Sequence, residues 1–257
     1  MELGGALRQR LAAGDAILGS WLSLGDFATA EIMSRAGFDF LVIDLEHAPT
    51  SVETAAGLIR IVDLAGCSPL VRLPEFSPAL AKQVLDAGAH GIVVPNVDSA
   101  ELARSVVKST RYPPNGTRGV GLHRAHGYGA SFQDYFDSSE RELLVVAQIE
   151  SLAGVEQIDE IASVEGLDAV MVGPYDLSAD LGIPGDFHSA AFTAAVGRVS
   201  NGAQAGGIAT GIHIVEPNPE TLRASARDGH RFLVYSVDMR ILDVGARIGA
   251  QALIGNP

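Results

Sequence analysis

Eight short runs rich in β-branched and other large apolar residues recur along the chain: ILGSWLSL (17–24), FLVIDLE (40–46), PLVRLP (69–74), GIVVPNV (91–97), LLVVAQIE (143–150), AVMVGP (169–174), TGIHIV (210–215) and FLVYSVD (232–238). Between them lie stretches with apolar residues at helical spacing, such as SPALAKQVLDAGA and SAELARSVVKSTR. The runs are apolar on both faces, as strands of a fully covered parallel sheet must be. Strand and helix alternating eight times predict an α/β fold, the (β/α)8 TIM barrel, as a single domain over residues 1–257. An open doubly wound sheet is the alternative, but it has no reason to stop at eight units.

Punctuation agrees with this scheme. Asp26, Ser77, Asp98 and Ser151 stand where helix N-caps belong, and Gly37, Gly88 and Gly229 stand where helices should stop. The opening MELGGALRQRLAAGD has no apolar leader core and reads as a helix. Two connections exceed plain strand-to-helix loops: Tyr112 to Phe136, and YDLSADLGIPGDFHS (175–189). Loops of such length in a compact domain usually serve function or an interface.

Lys and Arg number 18 against 31 Asp and Glu, a formal net charge of −13. Such an acidic chain repels phosphate backbones, so neither nucleic acid nor an anionic membrane surface is expected as a partner. Cys67 is the only cysteine, which excludes an intrachain disulfide and a cysteine metal cluster. No apolar stretch is long enough to span a bilayer. A soluble, cytoplasmic enzyme is the expectation.

In a β/α barrel the chemistry sits at the C-terminal ends of the strands. That rule selects Trp21 and Ser23 from the first strand, Asp44, Glu46 and His47 from the second, and Arg72 from the third. Pro95 and Asn96 follow from the fourth, Gln148 and Glu150 from the fifth, and Gly173, Pro174 and Asp176 from the sixth. The last two strands offer His213 with Glu216, and Ser236 with Asp238.

Glu150 and Asp176 are a candidate carboxylate pair for one hard divalent cation, with water and substrate oxygens completing its shell. Magnesium, manganese or cobalt suits such oxygen ligands better than zinc. The competing reading makes Asp176 a helix cap. His47 follows Asp44 by three residues, so the acid is placed to orient a general base. Arg72 ends an otherwise apolar strand and suits a carboxylate or a developing enolate oxygen. Its competing reading is an ion pair with Asp44, Glu46 or Asp86. Trp21 walls the pocket or packs its mouth.

The two lysines, Lys82 and Lys108, both fall on expected helices. A Schiff-base mechanism needs a desolvated lysine at a strand end, so the pattern argues against an imine-forming aldolase. No nucleotide-binding glycine motif occurs. The loops after the seventh and eighth strands, VEPNP and VDMRI, lack the glycines of a barrel phosphate site. His123, Arg124 and His126 lie in the long loop, where solvent exposure is the commoner fate.

Several segments together resemble the HpcH/HpaI family of metal-dependent (class II) pyruvate aldolases, the 4-hydroxy-2-oxoacid aldolases. They are GSWLSL (19–24), AGFDFLVIDLEHAP (36–49), PLVRLP (69–74), QVLDAGAHGIVVPNV (83–97), TRYPPNGTRGVG (110–121), QIES (148–151) and GPYDLSADLG (173–182). The resemblance implies a reversible cleavage of 4-hydroxy-2-oxoacids to pyruvate or hydroxypyruvate and an aldehyde through a metal-stabilised enolate. Glu150 and Asp176 would hold the divalent cation, and Gln148 would support its shell. Arg72 would bind the keto oxygen. His47 would be the base, acting through a water on the cation, with Asp44 orienting it. The oxoacid carboxylate would meet backbone N–H groups at Tyr175 and Asp176, next to Gly173 and Pro174.

Asp86 matches a position that reaches toward this histidine from an adjacent subunit. The same resemblance implies hexamers built as dimers of trimers, with the C-terminal helix, here Met239 to Leu253, exchanged between subunits. Two departures bear on substrate choice. The loop after GVG reads LHRAHGYG, and Tyr175 and the region around His213 lie where family sequences differ. The alternatives kept open are a malyl- or citramalyl-CoA type lyase, an enolising isomerase or decarboxylase, and a non-catalytic oxoacid-binding barrel.

Overall fold

The computed structural model describes residues 2–254, so Met1 and residues 255–257 of the expected single domain lie outside the described residues. Eight parallel strands close into a barrel in sequence order. They are β1 (Ile17–Leu22), β2 (Phe40–Asp44), β3 (Ser68–Arg72), β4 (Gly91–Val94), β5 (Leu144–Ile149), β6 (Ala169–Val172), β7 (Ala209–Ile214) and β8 (Phe232–Val237). β8 pairs with β1 through Ile17–Phe232 and Leu18–Leu233, which leaves no free edge. Each expected strand is present and ends one to three residues earlier than expected, where its last positions turn into the loop.

Side chains alternate inward and outward along each strand. Phe40 and Val42, Leu144 and Val146, Ala169 and Met171, and Phe232 and Val234 fill the barrel interior with Ile17, Trp21, Leu70 and Val93. Phe40 and Phe232 stack at 4.6 Å between ring centroids. Gly19 leaves room for the Phe40 ring, which a Cβ there would overlap. Leu7 and Leu11 of the first helix, Glu2–Ala12, join this interior cluster. The outward positions, among them Leu41, Ile43, Val71, Ile92 and Val145, pack against the surrounding helices as a larger cluster.

Helix starts follow the sequence signals, with one shift. Asp26, Ser77 and Ser151 accept N–H bonds as N-caps, but Ser99, not Asp98, caps the helix Ala100–Thr110. Gly37, Gly88 and Gly229 adopt positive φ beyond helix ends, at 96°, 104° and 98°. Lys82 and Lys108 lie on the outer helices Pro78–Asp86 and Ala100–Thr110. Among the described residues, no helix is long and apolar enough to cross a membrane.

Both long connections contain helical segments. The second opens with the short helix Pro174–Asp180. The first contains a 3₁₀ segment, Arg124–Gly129, and the helix Phe132–Glu142. Arg118 is its hub: buried, donating to Asp86 at 2.6 Å and to the Tyr135 hydroxyl at 2.9 Å, with its guanidinium over the Tyr112 ring.

Candidate active site

Because side chains alternate, the inward ladders of five strands each end in one residue at the barrel mouth. Above Phe40 and Val42 stands Asp44; above Leu70, Arg72; above Val146, Gln148; above Met171, Gly173; and above Gly211, His213. Trp21, His47, Arg72, Gln148, Met171, Gly173, Pro174, Tyr175, Asp176 and His213 line one cavity of about 240 Å³ there. Larger grooves occur at the opposite face and on the flank, but this one lies where barrel chemistry belongs.

Arg72 is clamped. Its Nε and Nη2 donate to the two Asp44 oxygens at 2.9 and 2.8 Å, and Nη1 lies 3.0 Å from Glu46 Oε2. The guanidinium also covers the face of Trp21, 4.1 Å from the ring centroid. The ion-pair reading of Arg72 therefore holds for Asp44 and Glu46, while Asp86 pairs with Arg118 instead. Burial would raise the Asp44 carboxyl, but the Arg72 bonds and charge, with the N–H groups of Glu46 and His47, hold it below the usual carboxylate range. Asp44 does not orient the His47 ring. Both its oxygens are committed to Arg72, and it meets His47 only through the backbone N–H at 3.4 Å. The exposed His47 ring has Glu46 as its nearest acid, 3.8 Å from Nε2.

Glu150 is buried at the mouth and held from two sides. Its Oε1 accepts the Asn96 N–H at 2.7 Å, and its Oε2 accepts from Gln148 Nε2. Asn96 reaches this position with φ at 53°, a left-handed conformation that asparagine tolerates better than most residues. Burial pushes the Glu150 carboxyl up to about 7; those two bonds oppose the rise, and the charges of Glu46 and Asp176 add to it. Burial likewise lifts Glu46 to about 6, opposed by Arg72 and aided by Asp44 and Asp176.

The charges of Glu46 and Asp176 raise Glu150, those of Asp44 and Asp176 raise Glu46, and the buried Gln148 Oε1 has no partner. A hard cation would relieve both features, so the donor set fits one. Among the described residues, no group of three or more His, Cys, Asp or Glu side chains can hold a metal by itself. A two-carboxylate site would leave the remaining positions to water and substrate oxygens. Asp176 is the third residue of its helix, whose N-cap is Gly173, so the competing reading of Asp176 as a cap does not hold.

His213 is pressed down to about 4 by burial and by the Arg72 charge. Tyr175 is exposed and meets Phe187 edge to face. The expected solvent exposure of the loop residues does not hold for two of the three. His126 is fully buried and bonds the Tyr112 hydroxyl at 2.9 Å, and Arg124 pairs with Asp63. The role of Glu46 beside Arg72, and of the Asn96 N–H at Glu150, lay in plain sight at strand ends. Only their side-chain and backbone directions were missing.

A closed barrel whose mouth gathers carboxylates, a clamped arginine and an imidazole around a small cavity defines an enzyme that handles a small molecule. The sequence profile of the HpcH/HpaI aldolase/citrate lyase family matches residues 18–242, and the chain belongs to that family. It is an aldolase of the metal-dependent class II, a carbon–carbon lyase. The hydroxypyruvate/pyruvate aldolase of Chromohalobacter salexigens is 38% identical over 231 residues, covering 89% of this chain and 90% of its own. The 5-keto-4-deoxy-D-glucarate aldolase of Escherichia coli O6:H1 is 37% identical over 232 residues, covering 90% of each chain. A solved HpcH/HpaI family protein from Burkholderia cenocepacia superposes with a TM-score of 0.92 at 34% identity, covering 97% of this chain and 99% of that one.

Proposed function

We propose that the protein, as one catalytic domain over residues 1–257, reversibly cleaves a 4-hydroxy-2-oxoacid to pyruvate or hydroxypyruvate and an aldehyde. The observation that carries this reading is the Glu150 carboxylate, buried and tethered by Gln148 and Asn96 beside a clamped Arg72. Glu150 and Asp176 would hold the cation, magnesium, manganese or cobalt, with Gln148 steadying Glu150. When bound, that ion supplies Lewis acidity at the keto group and offsets the negative charge of the enolate.

The rest is the work of side chains. Asp44 takes two of the five guanidinium N–H groups of Arg72 and leaves others to meet the keto oxygen. The fixed guanidinium stands ready for charge that develops there, with no reorganisation at the moment of reaction. His47, exposed at the rim, takes the C4 hydroxyl proton in the cleavage direction as the C3–C4 bond breaks. The Tyr175 and Asp176 N–H groups, following Gly173 and Pro174, meet the substrate carboxylate. Trp21 closes the wall opposite. Asp86 is assigned to a neighbouring subunit's site in a hexameric dimer of trimers. The acidic charge and the single buried thiol support a cytoplasmic protein acting on small molecules, without nucleic acid or membrane.

The test is proton NMR of pyruvate and hydroxypyruvate in D2O, with metal-stripped protein and then with added magnesium, manganese or cobalt. Metal-dependent loss of the C3 proton signal is expected, reduced at least about 100-fold in Glu150→Gln, in line with the usual loss from one misplaced charge-stabilising group. Exchange that ignores both the metal and the substitution would overturn the reading.

A further inference from the structure

Two rings in the cavity wall carry buried polar atoms that no protein group satisfies, Trp21 Nε1 and His213 Nε2. The rings meet edge to face with centroids 5.8 Å apart, and the Arg72 guanidinium lies 4.1 Å from the Trp21 centroid. The pair therefore stands beside the group assigned to the keto oxygen, one carbon away from the donor's C3 position.

The protonation of His213 follows from its surroundings. With its pKa near 4 the ring is neutral at pH 7, so one nitrogen carries a hydrogen and the other is bare. Its hydrogen bond with the Ser236 backbone favours the protonated ring, as a carbonyl accepting a ring N–H does. Because Nε2 has no partner, that bond uses Nδ1, and Nε2 is left as an acceptor. Ser236 is itself held firmly, at φ 53° with its hydroxyl donating to the Val215 carbonyl at 2.9 Å.

A buried acceptor facing a small-substrate cavity discriminates between a methyl and a hydroxymethyl group. A hydroxyl satisfies it; a methyl leaves it unpaired. We propose that His213 is a specificity-determining residue whose Nε2 accepts a hydrogen bond from the C3 hydroxyl of the donor oxoacid, so that hydroxypyruvate is preferred to pyruvate. Trp21 Nε1, a donor only, completes the pairing by donating to the same oxygen. This inference rests on the aldolase reading above.

The experiment measures C3 proton exchange and, by calorimetry, the dissociation constant for each oxoacid in magnesium, with wild type, His213→Leu and His213→Gln. Wild type should favour hydroxypyruvate about tenfold or more in kcat/KM. His213→Leu should lower that ratio about tenfold and weaken hydroxypyruvate binding more than pyruvate binding. His213→Gln, which offers an acceptor at similar reach, should recover part of the preference and serves alone if the leucine variant fails to fold. A ratio unchanged in active variants, or a parallel loss of both donors, overturns the assignment of His213 alone. No exchange of either donor by wild type overturns the aldolase reading together with it.

Discussion

Gly173 contributes to the site by having no side chain. A Cβ there would stand 2.7 Å from Glu150 Oε2 and 2.9 Å from Gln148 Nε2, closer than packed atoms allow. Gly173→Ala must therefore shift the carboxylate or its tether. We expect kcat/KM to fall about 10- to 100-fold, the scale of a misplacement of roughly 1 Å, while circular dichroism stays native. The Asp44–Arg72 pair makes a different prediction. Its side chains are only 2% and 10% exposed, so Asp44→Asn leaves a buried guanidinium with Glu46 as its sole counter-charge. A loss of about 3 kcal/mol is expected in urea unfolding, along with weakened oxoacid binding. At this scale the residue types were legible from their positions at strand ends. Their directions were not: Asp44 turns to Arg72 rather than His47 because the strand register sets Arg72 beside it on the neighbouring strand.

Among the elements, one cluster ties three together. Asp63 from the helix Val52–Leu64 meets His90, which precedes β4, at 3.2 Å, and Arg124 of the 3₁₀ segment at 2.5 Å. Burial lowers the His90 pKa below its ordinary 6.5, against the pull of Asp63. The unfolded chain therefore binds the proton first, and stability falls as pH drops below about 6.5. Burial would raise Asp63, but the bonds and charges of His90 and Arg124 outweigh it and hold the carboxyl well below the usual range. Its contribution is present above the ordinary carboxylate range and is lost as pH falls below it. His90→Gln should flatten the decline of the urea midpoint between pH 7 and 5 while leaving the steeper loss below pH 4. An unchanged slope would remove His90 from the account. The strands and helices themselves were readable, because burial on both faces of a parallel strand and on one face of a helix leaves distinct periods. The cap at Ser99 and the short helix after Gly173 were less so, since neighbouring Asp and Ser offer equivalent oxygens and seven residues give little period to read.

For the whole molecule, the C-terminal helix Asp238–Ile254 leaves Leu242 and Ile248 63% and 67% exposed. Apolar side chains repeated along one helix at such exposure favour cover by another subunit. The family resemblance implies an exchanged C-terminal helix, and the oligomeric state tests it. Light scattering is expected to give a hexamer for wild type, and Leu242→Asp with Ile248→Asp should lower the mass while secondary structure persists. A monomeric wild type would remove both the exchanged helix and the place of Asp86 in a neighbouring site.

The eightfold alternation, the parallel barrel, the absence of a strand-end lysine and the short set of residues at the barrel mouth all belong to the sequence alone. They depend on local periods, caps and the rule that barrel chemistry gathers at the C-terminal ends of strands. The tertiary structure decided which of these residues touch. It paired Arg72 with Asp44 and Glu46, turned the Asn96 N–H onto Glu150, buried His126 and Arg118 within the long loop, and left His213 Nε2 without a partner. The first two join neighbouring strand ends through the register of the sheet, and the burial of His126 and Arg118 comes from packing inside the long connection; neither register nor packing is encoded in a local period.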